Sequence, residues 1–431
     1  MPTLLIRAFR VPELRKKLLF TLGVVALFRL GQILPSPGVD VAGVRRCLAG
    51  ARGGLVEMVQ LFSGGAMLKL SVFALGVMPY ITASIVIQLL AVLIPRLETL
   101  RKEGQAGQAK ITQYTRYLAV GLAVINATAV VAMARTGMIF PTCRERLLYD
   151  QSTLSAVVTV ATMVAGMCVV MWLGELVTDR GIGNGMSVLI FTQVVAVFPS
   201  YASNIFALNP FALVLMLISG VFLVAAVVFI EQAQRRLPVQ YAKRLVGRRM
   251  YGGTSTYIPL KVNQAGITPV IFTSSLLYLP QLAVSLSGGT GPVAQWISTY
   301  LVRGDHPLYM TAYFLLIAGF TYFYVSITFD PAEVADTMRR HGGFVPGVRP
   351  GRPTAEYLRF VLSRLTAPGA VYLGLLSLLP LVAFVLLRDP GTQQNFPFGG
   401  TTVLIMVGVG LETVKQIEAQ LQQRTYEGFL R

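Results

Sequence analysis

Charge is scarce in this chain. Asp, Glu, Lys and Arg make up only 13% of its 431 residues, against 54% hydrophobic, and so few polar side chains could not cover a water-exposed surface. The solvent around most of the chain is therefore lipid. Histidine is scarcer still, with His306 and His341 alone, both outside the apolar runs. There is no HExxH, no GxSxG, and no pair of carboxylates inside an apolar run, so nothing assembles the groups that hydrolytic or acid–base catalysis needs. An intramembrane protease or acyltransferase would need a nucleophile and a base within one reach of each other in the membrane. The expectation is a protein that is not an enzyme and that carries no metal and no cofactor. Cys47, Cys143 and Cys168 lie far apart without CxxC spacing, which argues against a disulfide framework and a zinc site. Each is expected to be a small apolar filler.

What the chain does have is a succession of apolar runs of about 20 residues, the length that crosses a hydrocarbon core of about 30 Å. Their recurrence along the whole sequence excludes a secreted protein with one cleavable leader. Ten spans are predicted, near 18–33, 71–94, 117–136, 155–178, 185–199, 211–230, 265–284, 308–328, 369–387 and 400–417. They read as helices, because open strands would leave backbone groups unpaired in lipid and the runs lack barrel-like alternation. The fold class expected is an all-α polytopic membrane protein.

The formal charge of +18 does not indicate DNA binding, since the basic residues are spread over short loops rather than gathered in one soluble domain. Anionic lipids and cytoplasmic partners are the expected counter-charges. Arg7, Arg10, Arg15, Lys16 and Lys17 precede the first span, whereas 200–210 holds no Lys or Arg. The same alternation along the chain puts both termini in the cytoplasm. Two cytoplasmic loops, 231–264 and 329–368, exceed the usual connection length and are rich in Gly, Pro and Arg, which marks them as functional. An even division gives an N-terminal half at 1–200, a connecting hinge at 201–210 and a C-terminal half at 211–431. Because five is odd, the second set of five helices would be inverted relative to the first, as a pseudo-symmetric clamshell.

A secondary transporter of small solutes could share that architecture, but it would normally keep an Asp, Glu or His near the bilayer middle for its coupling ion. Only Arg29 and Glu175 lie well inside apolar stretches, and both can reach an interface by snorkelling. GIGNG at 181–185 is a turn between two spans rather than a dinucleotide fingerprint, having no strand before it. Residues 55–67, LVEMVQLFSGGAM, are too short to span and carry Glu57, so they read as a short helix outside the spans that ends at Gly64 and Gly65.

Long strings spread over nearly the whole chain resemble the SecY family, the channel subunits of the bacterial Sec translocon. They include FRLGQILPSPGVD at 28–40, FALGVMPYITASIVIQLL at 73–90, MWLGELVTDRGIGNGMS at 171–187, STYIPLKVNQAGITPVIF at 255–272 and GGFVPGVRPGRPTAEYL at 342–358. The resemblance implies a channel in the bacterial cytoplasmic (inner) membrane that translocates unfolded, signal-sequence-bearing precursors and releases apolar segments sideways into lipid. It implies a pore ring of Val77, Ile81, Met186, Ile190, Ile271 and Ile405, with 77 and 81, like 186 and 190, sharing a helix face. A ring of this kind blocks ions by dewetting. It also implies a plug at 55–67, including Leu61, Phe62, Ser63, Gly64 and Gly65, and a lateral gate bridged by Thr82, Gln88, Asn263 and Thr268. Arg235, Arg236, Lys243, Arg244, Arg248, Arg249 and Arg349 would dock the SecA motor or the ribosome, and SecE and SecG are implied as companion subunits.

Overall fold

The computed structural model describes residues 9, 11–50, 65–136, 147–150, 152–208, 210–241, 244–246, 249–251, 255–286, 291–302, 306–387 and 400–429. Helices stand at all ten expected spans: α1 (Pro12–Ile33), α3 (Met78–Leu93), α5 (Gln105–Thr136), α6 (Thr153–Arg180), α7 (Gly185–Leu208), α8 (Pro210–Gln232), α9 (Thr268–Leu286), α11 (Pro307–Thr328), α13 (Arg352–Leu387) and α14 (Gly400–Phe429). Shorter helices α2 (Val41–Gly50), α4 (Pro95–Lys102), α10 (Pro292–Ile297) and α12 (Pro331–Arg340) lie between them. Among the described residues, Gln105–Arg135, Thr153–Arg180, Pro307–Arg340 and Arg352–Leu379 are long and apolar enough to cross a membrane. A fifth span arises if the bent pair Met78–Ala91 and Pro95–Arg101 counts as one.

Small side chains let the first helices pack closely. Ala119, Ala123 and Ala127, one turn apart along α5, are fully buried with Ala83 of α3 and with Met163 and Met167 of α6, the close approach that helix association in lipid relies on. A second core joins Val227 of α8, Val270 of α9, Tyr313 and Ile317 of α11, Leu373 of α13 and Leu404 of α14. The two bundles meet along two seams. On one, α7 packs against α8 and α14; on the other, α9 packs against α3 and α5.

The structure departs from the sequence reading in four places. The helix expected from residue 71 begins only at Met78, as described below. The connection expected at 201–210 is helical up to Leu208, with Pro199 inside α7 and α8 starting at Pro210. The long loops are built rather than irregular. In 231–264, β1 (Gln234–Tyr241) pairs antiparallel with β4 (Ser255–Lys261), and β2 (Arg244–Val246) pairs with β3 (Arg249–Tyr251). In 329–368, α12, the short β5 (Gly343–Phe344) on β1, and the start of α13 replace coil. Leu237 and Val239 alternate inward from β1, onto Leu260, Leu358 and Val361 in one cluster and Met338 and Val345 in another. The two loops therefore share a small core of their own. The signals were present: Asp330 accepts a hydrogen bond from the Ala332 N–H at 2.9 Å with Pro331 behind it, a standard helix start.

The fourth departure concerns cysteine. Cys47 is disulfide-bonded, and only Cys168 is free among the described cysteines. Separation in sequence says little about separation in space. Here the segment after α1 is drawn onto residues 147–150: the Asp40 N–H donates to Leu147 O at 2.9 Å and the Tyr149 N–H to Gly38 O at 3.0 Å. Asp40 also opens α2, and backbone N–H groups of Gly43 and Ala42 hold its carboxyl below the usual range. Replacing Cys47 with Ser should lower the thermal midpoint of the detergent-solubilised protein, by the equivalent of about 2–4 kcal/mol for loss of a crosslink. Reductant should lower the unaltered protein to match; equal midpoints with and without reductant would contradict a stabilising crosslink.

Candidate functional site

Between residues 65 and 77 the chain runs as successive turns rather than a regular helix, and its backbone groups are shared between bonds inside the segment, such as Ala74 N–H to Ser71 O at 3.0 Å, and bonds to α1 and its exit. The Phe73 N–H donates to Gly31 O at 3.3 Å, Val72 N–H to Leu34 O at 2.9 Å, and Ser36 N–H to Leu70 O at 3.0 Å. Irregular backbone at membrane depth is tolerated only when protein supplies such partners. Two glycines admit the segment: a methyl group on Gly31 would overlap the Phe73 ring, and one on Gly166 of α6 would overlap the Val72 carbonyl. Gln193 of α7 is buried against Gly76, with its amide nitrogen unpaired. The segment delivers Val77 to the start of α3.

Val77 is buried with Val24, Phe28, Val170, Leu173 and Leu189, and Ile81, Met186 and Ile190 pack on that cluster. Ile190 also belongs to a second cluster, with Val194, Ile405 and Val409, on which Ile267 packs. The α7 residue is thus common to apolar groups of both bundles. Ile271 is half-buried one turn beyond Ile267 on α9. Five of the six expected ring residues therefore fall in two clusters joined at Ile190. Met186 leans on α6, since a methyl on Gly174 would overlap its sulfur.

Of the four polar residues expected at the other seam, Thr82, Gln88 and Asn263 have hydrogen bonds on their own side of it. Thr82 Oγ1 donates to Met78 O at 3.0 Å and Gln88 Nε2 to Ser84 Oγ at 3.4 Å, both within α3. Asn263 Nδ2 donates to Glu231 Oε1 at 2.6 Å and to Gly266 O at 3.2 Å, tying the end of α8 to the approach to α9. Thr268 is half-buried at the first turn of α9. A short polar side chain on an apolar helix can bond back along its own turn, as Thr82 does.

The SecY family model matches residues 71–414. The chain belongs to the SecY family. It is 58% identical to the protein translocase subunit SecY of Streptomyces galbus, over the full length of both chains. It is 56% identical to that of Mycobacterium tuberculosis, over 99% of each. The fold is also that of a solved protein-conducting channel, with a TM-score of 0.65, 19% identity, and coverage of 94% of this chain and 92% of that one. The Sec61 channel of a canine ribosome–channel complex superposes with a TM-score of 0.62 and 18% identity, at the same coverages.

Of the residues expected to form a plug, Leu61, Phe62, Ser63 and Gly64 lie outside the described residues. Gly65 is described, with φ +80°. Of the basic residues expected to dock partners, Lys243 and Arg248 lie outside the described residues, and Arg244 and Arg249 are placed on the paired strands β2 and β3. Arg235 and Arg236 are exposed on β1, the latter 4.8 Å from the Tyr257 ring centre. Arg349 is exposed in a turn between Gly347 (φ +83°) and Gly351 (φ +105°), while its carbonyl accepts from Thr354 Oγ1 at 2.8 Å. The backbone is pinned and the guanidinium is presented outward.

The two charges within apolar stretches are engaged by protein. Arg116 of α5 meets Glu175 of α6 in two parallel bonds of 2.7 and 2.8 Å. Arg29 donates to Gln32 Oε1 at 2.7 Å and to Ala196 O at 3.3 Å. Sequence reasoning missed Gly31, Gly166 and Gln193, whose importance lies in contacts that only the fold creates. In GIGNG, Gly183 has φ +88° and Asn184 Oδ1 accepts from the Met186 N–H at 3.1 Å, so the string is a turn and helix start. Gly166→Ala should displace the Val72 carbonyl and loosen Val77, at a cost of about 1–3 kcal/mol in stability. A lowered thermal midpoint together with greater ion leak through the resting channel is expected; leaving both unchanged would contradict the role given to residues 65–77.

Proposed function

We propose that the chain is the polypeptide-conducting pore of a Sec-type translocon in the bacterial cytoplasmic membrane, with both termini in the cytoplasm. It is a protein-conducting channel subunit, and the observation that supports the finer reading most is the pair of apolar clusters joined at Ile190. Val77, Ile81, Met186, Ile190, Ile271 and Ile405 would form a dewetted waist that bars ions at rest. During transport these side chains would close around an extended chain, which demands no specific chemistry of its client. The segment 55–67 would sit below the waist as a plug and swing aside, with Gly65 serving as part of its hinge.

The seam between α9 and the pair α3 and α5 is proposed as the lateral gate. A signal sequence, itself an apolar helix, can replace contacts there that are mostly van der Waals. Thr82, Gln88, Asn263 and Thr268 line or flank that seam in sequence, and by their hydrogen bonds they would shape its edges rather than bridge it. The opposite seam, where α7 continues almost directly into α8, would act as the hinge. Arg235, Arg236, Lys243, Arg244, Arg248 and Arg249 would meet ribosomal RNA phosphates or acidic protein surfaces. Arg349 would engage the SecA motor, because a guanidinium on a fixed turn can hold several oriented hydrogen bonds at once. SecE and SecG would complete the complex, anionic lipids would surround its basic loops, and hydrolysis would be left to the motor. A small-solute transporter finds no support, as Glu175 is held by Arg116.

Proteoliposomes containing the chain with its companion subunits and the motor should take up a signal-bearing precursor in an ATP-dependent manner. Ion-driven uptake of small solutes without any precursor transport would sink this reading. Arg349→Glu should reduce motor-driven precursor transport at least tenfold while leaving the folded complex intact, and normal export by that variant would remove the role given to Arg349.

A further inference from the structure

Among the described residues, a side-chain hydrogen bond crosses the seam at which α9 faces α3 and α5. Arg101, the next-to-last residue of α4, donates from Nη2 to the backbone oxygen of Ile327 at 3.1 Å. The two residues belong to different bundles: α4 packs on α3 and α5, whereas α11, which carries Ile327, packs on α9 and α13. Pro95 starts α4 directly after α3, and the short helix is bent by 104° from the α3 axis. Nothing in the sequence points to this contact, since 226 residues separate the partners.

The acceptor is chemically apt. α11 ends at Thr328, so the Ile327 carbonyl is one of the last four of the helix and has no N–H within the helix to accept from. Val325 O, by contrast, is used by the Phe329 N–H. No Lys or Arg stands in the last turn of α11. The partial negative charge at a helix C-terminus is therefore met by a cation from the other bundle. A bond within one bundle would survive any rigid separation of the two; this one cannot.

We infer that Arg101 and the C-terminal end of α11 form a clasp that holds the lateral seam closed, and that an arriving signal sequence must release it. Arg101 is in this sense a positioning residue for gating, acting through α11 on the width of the seam. The inference rests on the proposal that α9 with α3 and α5 forms the lateral gate. The contact is exposed, so its loss should bias the gate without dismantling the fold. Removing one exposed cation at a helix end shifts a two-state equilibrium by about two- to fivefold.

The test uses the full translocon in proteoliposomes with a precursor whose signal sequence is weakened. Arg101→Ala should raise its transport about two- to fivefold, Arg101→Lys should stay near the unaltered level, and the thermal midpoint should be the same in all three. Equal transport by all three proteins would overturn the clasp, as would a lowered midpoint in Arg101→Ala without a gain in transport. A photo-crosslinker in the signal sequence of a stalled precursor separates the two levels of the argument. Adducts to both α3 and α9 with no effect of Arg101→Ala would leave the gate and remove the clasp. Adducts to neither helix would remove the gate and the clasp together.

Discussion

A pathway that must admit polypeptides of any sequence cannot be closed by groups that recognise one of them. Apolar side chains meet that constraint, because they exclude water and ions when they touch one another and make no specific bond with what displaces them. Ile190 is where this constraint becomes visible in the fold. It packs at once on the cluster around Val77 in the first bundle and on the cluster around Ile405 that includes α14. On the proposed function, the rest of the fold would bring those two groups together and let them part.

The irregular passage from 65 to 77 illustrates what that service requires. A straight helix from residue 71 would have filled the same depth with less difficulty, since its backbone bonds would be internal. Instead the chain borrows acceptors at Gly31 and Leu34 and offers Leu70 O to Ser36. The arrangement fixes Val77 against α1 and α6 while leaving the preceding segment short and non-helical. The charges within the apolar stretches are kept engaged, as with Arg116 and Glu175, because an unpaired charge in lipid would cost several kcal/mol. The bundles are internally well tied, and the contacts between them across the α9 seam are few.

Much of the architecture was legible because lipid imposes a length and a pattern on any span. The ten runs of apolar residues coincide with ten helices, and the absence of histidine and paired carboxylates from the runs already turned the reading from catalysis toward conduction. The proposal of ring positions rests on family motifs, since Ile81, Ile190 and Ile405 are indistinguishable by composition from dozens of other apolar residues. What could not be read is long-range. The Cys47 disulfide, the β1–β4 hairpin on the core around Leu237 and Leu358, the glycines at 31 and 166, and the bond from Arg101 to α11 all depend on partners remote in sequence. Gly166 looks like any glycine in a membrane helix until the Val72 carbonyl is placed beside it.

The central claim is that a client chain passes through the waist around Ile190, in contact with both bundles. Photo-crosslinkable residues placed singly at Ile190 and Ile405, with control sites at the outward-facing Val158 and Leu375, would test it on a translocon holding a stalled precursor. The account predicts adducts to the mature part of the precursor from Ile190 and Ile405 and none from the controls. Adducts from the outward-facing sites with none from Ile190 or Ile405 would contradict it.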